Sequence, residues 1–483
     1  MNKEDRNMDK SILYTCVDNH ASMLTALSDR IWGYAELSME EVKSALDYCQ
    51  VLAEAGFSVT EHLGGIPTAF SGSFGSGRPV IGILGEFDAL SGLSQEPGIT
   101  ERKPRPDTAC GHGCGHNLLG AASLGAAIAV KEQIAAGLLS GTVVFYGCPG
   151  EEGCAGKTFL AKAGMFRDLD AALCWHPGDV NAVTTGSNAA SLQYVYTFTG
   201  TASHAAGAPE LGRSALDAAE LMNTGVQYLR EHMGERHSVH YAFLDAGGVS
   251  PNVVQPTASL VYMVRGETVR SARALLERVH NIARGAALMT DTEVTWKQIA
   301  GTAATLSNTV LEELLQENLF AAPMPSYTPE DWAFAKALKD TYPETGLPGK
   351  LTAEDRKLRA FIKERTENGA RAINNFVLPY VPSNAFSPGS TDVGDVSWLT
   401  PTAQFQAVTW SSGAPGHSWQ NVSQGKTSMA HKGLLYAAKV LSGAAADLME
   451  NPELLKKARA EFEAATAEGY DCPIGKEVKP TAG

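Results

Sequence analysis

No run of about 20 apolar residues, the length that spans a bilayer, stands out in the sequence. The opening residues, MNKEDRNMDKSILYTC, lack the basic, apolar and small-residue succession of a secretory signal, so a cytoplasmic protein is expected. Positive charge is scarce: 39 Lys and Arg stand against 53 Asp and Glu, a net charge of −14, and no basic tract occurs. Nucleic acid and anionic membrane surfaces are therefore excluded as partners, which leaves a small molecule. Charged residues make up only 19% against 44% hydrophobic, which excludes disorder. Eight cysteines in 483 residues are too few for a disulfide scaffold, and the length allows two to three domains. There is no Walker A phosphate loop, no Gly-x-Gly-x-x-Gly after a strand and no Gly-x-Ser-x-Gly nucleophile elbow.

What is present is an uneven distribution of reactive residues. Five of the eight cysteines, Cys110, Cys114, Cys148, Cys154 and Cys174, fall in one stretch with His112, His116, Glu151, Glu152 and His176. Around them the periodicity alternates between strand and helix. PVIGILGEFDAL (79–90) reads as a strand buried on both faces that ends in acidic residues, and GTVVFYG (141–147), DAALCWHP and AQFQAVTW (403–410) read likewise. Helical patterns precede, separate and follow them. This predicts an α/β catalytic domain built on a mostly parallel sheet, whose ligands bind beyond the carboxyl ends of the strands. From about Ser191 the order changes to βαββαβ, a ferredoxin-like α+β sandwich. The expected organisation is a first catalytic part at 1–188, an inserted domain at 189–304 and a second catalytic part at 305–483. Within the last, the segment with Pro323, Pro325, Pro329, Pro343 and Pro348 reads as a surface excursion.

His112, Cys114 and His116 alternate, so an extended loop would turn them to one side, where a thiolate and imidazoles suit zinc or a related divalent ion. Glu151 and Glu152 are adjacent and face opposite ways, so one can hold a metal while the other faces substrate. His176 in WHP and His417 in GAPGHSW would each read alone as a capping or core histidine, but both follow strands that end at this edge. Cys114, His116, Glu152, His176 and His417 together make five ligands, enough for two ions that share a bridging group. His204, Asn252 and Arg265 in the inserted domain read as polar surface residues, and Asp392 and Asp395 lie in a Gly/Ser/Asp turn whose role stays open.

HGCGHN (112–117), PGEEG (149–153), WHP (175–177), SHAAGAPELGRSAL (203–216), PNVV (251–254) and the late His417 occur in one order along most of the chain. In these motifs the sequence resembles the aminoacylase, carboxypeptidase G and indoleacetyl-amino-acid amidohydrolase family of metallopeptidases. The resemblance implies a zinc-exopeptidase-type catalytic domain holding two divalent ions, zinc or manganese, with an inserted lid and dimerisation domain. It further implies that Cys114, His116, Glu152, His176 and His417 are the metal ligands and Glu151 the general base and acid. Asp88 would orient a ligand, His204 would reach a neighbouring subunit's site to stabilise the oxyanion, and Asn252 and Arg265 would contact the substrate carboxylate. PGSTDVGDVSW, GAPGHSWQ and the segment 305–385 are most similar to a branch acting on p-aminobenzoyl-glutamate, with other N-acyl-amino acids or dipeptides as the alternative. A homodimer or a hetero-oligomer with a related subunit, one of them auxiliary, is implied. Two departures stand out: Asn117 replaces a common Asp, and Glu86-Phe87-Asp88 replaces Asp-x-Asp, so Glu86 is not counted as a ligand.

Overall fold

The computed structural model describes residues 8–343 and 356–481. Pro348 of the proline-containing segment lies outside them.

Three helices open the chain: α1 (Ser11–Asn19), α2 (Ala21–Tyr34) and α3 (Val42–Glu54). They are followed by β1 (Ser58–Glu61), β2 (Phe70–Ser76) and β3 (Val80–Glu86), then α4 (His116–Ala135), β4 (Gly141–Cys148), α5 (Gly156–Lys162), β5 (Ala171–Gly178), β6 (Ala182–Val183) and β7 (Ser187–Asn188). The inserted segment contributes β8 (Ala190–Thr199), α6 (Ala215–Arg230), β9 (Ser238–Asp245), β10 (Thr257–Gly266), α7 (Val269–Thr290) and β11 (Glu293–Thr302). The remainder supplies α8 (Thr309–Ala321), α9 (Pro329–Lys339), α10 (Arg356–Arg365), β12 (Phe386–Ser387), α11 (Val393–Ser397), β13 (Thr402–Val408), α12 (Trp419–Gln424), α13 (Ser428–Glu450) and α14 (Pro452–Ala465).

The large sheet has the order β1-β2-β4-β3-β5-β13-β6. Its central strands β4, β3, β5 and β13 are mutually parallel, antiparallel β2 and β6 flank them, and β1 pairs antiparallel with β2 at the outer edge. The parallel strands are apolar along their length because helices cover both faces. α4 is long and apolar enough to cross a membrane by length and composition, although no single unbroken apolar run marked it in the sequence. It is the central core helix, buried along almost its whole length against β3, β4, α2 and α13.

The second sheet is fully antiparallel, with the order β11-β8-β10-β9, and α6 and α7 pack on one face. This is the ferredoxin-like arrangement read from the sequence. Its core holds an ionisable group: His280 of α7 stacks on Trp296 with ring centroids 4.4 Å apart, and its Nδ1 shares a hydrogen bond of 2.8 Å with the Tyr196 hydroxyl. Burial lowers His280 from 6.5 to about 4. Because the folded-state value is depressed, its contribution to stability is complete above pH 6.5 and is lost as pH falls toward 4. Urea midpoints of the wild type are expected to fall between pH 7 and pH 4, and His280→Gln is expected to make that fall shallower; equal slopes would contradict this.

The proline-containing segment is more than a surface excursion. Pro329 occupies the first turn of α9, where its missing N–H costs nothing, and Thr328 caps the helix with Asp331 in a reciprocal box. Ala335 of α9 then packs with Ile373, Val408 and Met429. At the other end of the chain, residues 470–478 fasten the two sheets together. Gln298 of β11 exchanges hydrogen bonds with Pro473 O and Gly475 N, Arg273 of α7 pairs with Asp471, and Lys162 of α5 donates to Gly475 O.

Candidate metal centre

The candidate residues converge because each follows the end of a parallel strand or begins a helix there. β3 ends at Glu86 and leads to Asp88; β4 ends at Cys148 and leads to Glu151 and Glu152; β5 carries His176 near its end; β13 leads to His417. The loop of glycines before α4 lets Cys114 and His116 approach this edge. A Cβ on Gly113 would lie 2.5 Å from Leu93 Cδ1, and Gly115 caps α4 with φ +79°.

Cys114 Sγ lies 3.3 Å from His176 Nε2, and with His116 these donor atoms all fall within 4.8 Å of one another. A second group, Cys114, Glu152 and His417, meets the same limit, with His417 Nε2 3.2 Å from Glu152 Oε1. Cys114 belongs to both groups, so its sulfur stands where one atom could bridge two ions.

Hydrogen bonds behind the donors fix which ring nitrogen faces inward. His116 Nδ1 donates to Asp88 Oδ1 at 2.8 Å, and His176 Nδ1 donates to the Pro177 carbonyl at 2.7 Å, so each Nε2 presents its lone pair to the centre. Asp88 Oδ2 in turn accepts from the Glu152 N–H and from the Ser38 hydroxyl, both at 2.9 Å. One carboxylate thereby aligns His116 and the backbone of the Glu152 turn.

His116 Nε2 and Glu152 Oε1 are buried without a hydrogen bond, although Glu86 Oε2 and His417 Nε2 respectively lie 3.2 Å away, and a cation among these atoms would satisfy them. Burial works against a proton on His116, but Cys114, Glu86 and Asp88 outweigh it and raise the imidazole well above its usual value; the field that attracts a proton there also attracts a metal ion. Burial and then Glu152 push the Cys114 thiol well above its ordinary range, so a thiolate there requires a cation's charge. The donor chemistry therefore fits two divalent ions.

Glu151 faces a different set of neighbours, forming a close group with Glu86 and His116. Burial, reinforced by Glu86, Glu152 and Asp392, raises its carboxyl well above the usual value, which suits a group that takes up and returns a proton. Behind it lies a fully buried ammonium. Lys157 Nζ lies 2.6 Å from Glu86 Oε1 and also pairs with Asp392 Oδ1, while Asp392 Oδ2 accepts the Lys157 backbone N–H at 2.8 Å. Thr158 donates to Asp395, which also accepts from the Tyr470 hydroxyl. Asp392 and Asp395 therefore anchor α5 and the Glu151–Glu152 turn ahead of it.

Several sequence readings change in detail. His112 does not join the donors: its side chain is turned the other way, with Nε2 3.0 Å from the Ile31 carbonyl in the core. Asn117 is structural, since its amide donates to Ser28 Oγ and Gly425 O, and an ionised Asp could not donate to a carbonyl. Glu86 is spent on Lys157, with its other oxygen 3.2 Å from His116 Nε2. His204 sits on an exposed turn, where its Nδ1 accepts from the Ala206 and Gly207 amides. Asn252 is exposed and joined to that turn through its carbonyl, and Arg265 lies half-buried on β10 with Nε unpaired. Among the described residues, none of these three is seen hydrogen-bonded to the Cys114 group. Ser38 and Lys157 carried no sequence signal that singled them out, beyond Lys157 lying in a short helix directly after the paired glutamates.

A parallel sheet with thiol, imidazole and carboxylate donors at its carboxyl edge, and with an antiparallel domain inserted, defines a metallopeptidase-type amidohydrolase. The chain belongs to peptidase family M20/M25/M40, whose model matches residues 83–475. It is 43% identical over 468 residues to one of the subunits of the p-aminobenzoyl-glutamate hydrolase of Escherichia coli, covering 95% of each chain. It is also 29% identical over 464 residues to the Xaa-Arg dipeptidase of Mus musculus, covering 92% of this chain and 90% of that one. The fold is that of a dinuclear metal-binding peptidase of the M20 family from Bacillus subtilis, with a TM-score of 0.56 at 17% identity over 90% of this chain and 99% of the other.

Proposed function

We propose that this protein hydrolyses the amide bond of p-aminobenzoyl-glutamate, releasing p-aminobenzoate and glutamate. The observation that carries the reaction class is the pair of donor groups sharing Cys114, with Glu151 beside them; the 43% identical relative carries the substrate. Cys114, His116, Glu152, His176 and His417 would hold two divalent ions, zinc or manganese, with Asp88 orienting His116. When bound, such ions lower the pKa of water and polarise a carbonyl. Glu151 accepts the proton of the attacking water and later delivers it to the departing amine nitrogen, the general-base and general-acid halves of one proton transfer. His204 stabilises the oxyanion in a neighbouring subunit's site, and Asn252 and Arg265 pair with the substrate carboxylate.

A subunit interface is supported by β9, an edge strand of the second sheet that exposes Tyr241, Phe243 and Leu244. The partner is a second copy or a related subunit. A cytoplasmic setting is supported by the eight cysteines, all of which are free thiols.

The test is hydrolysis of p-aminobenzoyl-glutamate beside a panel of N-acyl-amino acids and dipeptides, with zinc and with manganese. Release of p-aminobenzoate supports the proposal. Cleavage confined to the panel would retain the mechanism and overturn the substrate, in favour of the dipeptidase-like reading that the 29% identical relative suggests. Turnover only after addition of a related subunit would make this chain the auxiliary member.

A further inference from the structure

A separate group of metal-donor side chains lies on the helices that cover the sheet. Cys16 of α1 and His20 at its C-terminal boundary are four residues apart and so share one face of the helix. Glu132 meets them from the last turn of α4. The Cys16 thiol donates to Glu132 Oε2 at 3.0 Å, His20 Nε2 lies 2.8 Å from Glu132 Oε1, and the three donors all lie within 4.8 Å of one another. Cys16 is buried, whereas the His20 and Glu132 side chains remain 34% and 42% exposed, so an ion can enter from solvent and keep water in its fourth position.

The surroundings favour a cation. Helix C-termini present unpaired carbonyls and the negative end of the helix dipole, which disfavour a carboxylate and favour positive charge. Glu132 stands at the C-terminal end of α4 and His20 at that of α1. The ammonium of Lys131 lies nearby, 5.0 Å from the Phe74 ring centroid, and its charge offsets only part of that of Glu132 and of a Cys16 thiolate. Burial and Glu132 push the Cys16 thiol up to about 12, so a thiolate forms there only in company with a cation. One sulfur, one imidazole and one carboxylate suit zinc better than the oxygen-preferring manganese or magnesium. Zinc bonds of about 2.0–2.3 Å would require the present contacts to open by roughly half an ångström, a small adjustment of the half-exposed Glu132 side chain.

We propose that Cys16, His20 and Glu132 form a further zinc site, with water as the fourth ligand, that ties α1 to α4. On binding, the S–H bond of Cys16 breaks, its proton passes to solvent and a zinc–sulfur bond forms, with no change of oxidation state.

The test uses the full chain carrying Cys114→Ser, which removes the only thiol of the first centre. Cobalt(II) is the spectroscopic probe, and it is expected to give a thiolate-to-cobalt charge-transfer band that added zinc abolishes. The band is expected to vanish in Cys114→Ser/Cys16→Ser, and cobalt affinity to fall about tenfold or more in Cys114→Ser/His20→Gln. His20 is partly exposed, so its variant carries the comparison even if Cys16→Ser disturbs folding. A band unchanged by both substitutions, or no band in Cys114→Ser, would overturn the site. Neither outcome depends on whether the chain hydrolyses amides.

Discussion

Glu151→Gln is expected to lower kcat for amide hydrolysis by roughly 10²–10⁴-fold, the usual worth of a positioned general base, while leaving the bound metal content unchanged. Glutamine keeps the shape of the side chain and removes only its ability to hold a proton. Burial and the charges of Glu86, Glu152 and Asp392 raise the proton affinity of Glu151, which suits the proposed task. Glu152 next to it would have the other task under the proposal, with its N–H held by Asp88 and Oε1 3.2 Å from His417 Nε2. Metal analysis beside single-turnover kinetics checks the division: loss of metal on Glu151→Gln would assign both glutamates to metal binding. The same variant tests His204. Mixed with His204→Ala under conditions of subunit exchange, it is expected to regain part of the activity, since a mixed dimer would contain one complete site, and exchange without recovery would count against the role of His204 across subunits.

Lys157→Met is expected to destabilise the fold by about 3–5 kcal/mol, the cost of breaking a buried charge pair from one side. The side chains of Lys157 and Asp392 are fully buried and that of Glu86 almost so, with Lys157 compensating both carboxylates. Burial by itself would raise Glu86, but Lys157, His116 and His176 outweigh it and hold the carboxyl below its ordinary range. With the ammonium removed, both carboxyls would rise, and acids raised in the folded state contribute stability at low pH that is lost as pH increases. Urea denaturation at several pH values should therefore show Lys157→Met losing most stability near neutrality and recovering part of it toward pH 4. A variant as stable as the wild type at pH 7 would contradict the assignment of Lys157 as the central counter-charge.

These two residues mark where sequence reading reached and where it stopped. The strand ends were legible because a buried parallel strand is an unbroken apolar run, and a carboxylate or histidine at its end stands out, as with Glu86, Asp88, Glu151 and His176. The βαββαβ order was legible for the same reason, since period-2 and period-3.6 patterns are local. Contacts between residues far apart in the chain leave no such trace. Asp392 and Asp395 looked like an ordinary turn because their partners, Lys157 and Thr158, lie 235 and 237 positions away. His112 shares its spacing with Cys114 and His116, and only the fold shows that it turns to the Ile31 carbonyl. Asn117 stood out only as a replacement for a common Asp, whereas its neighbours are a hydroxyl and a carbonyl to which its amide donates.

The central claim is that Cys114 stands between two groups of metal donors. Anomalous diffraction from crystals grown with zinc, collected on both sides of the zinc absorption edge, tests this most directly. Two peaks are expected at the carboxyl edge of the parallel sheet, one against His116 or His176 and one against Glu152 and His417, with Cys114 Sγ adjacent to both. Absence of zinc density beside Cys114, with the protein folded and zinc in excess, would contradict the account.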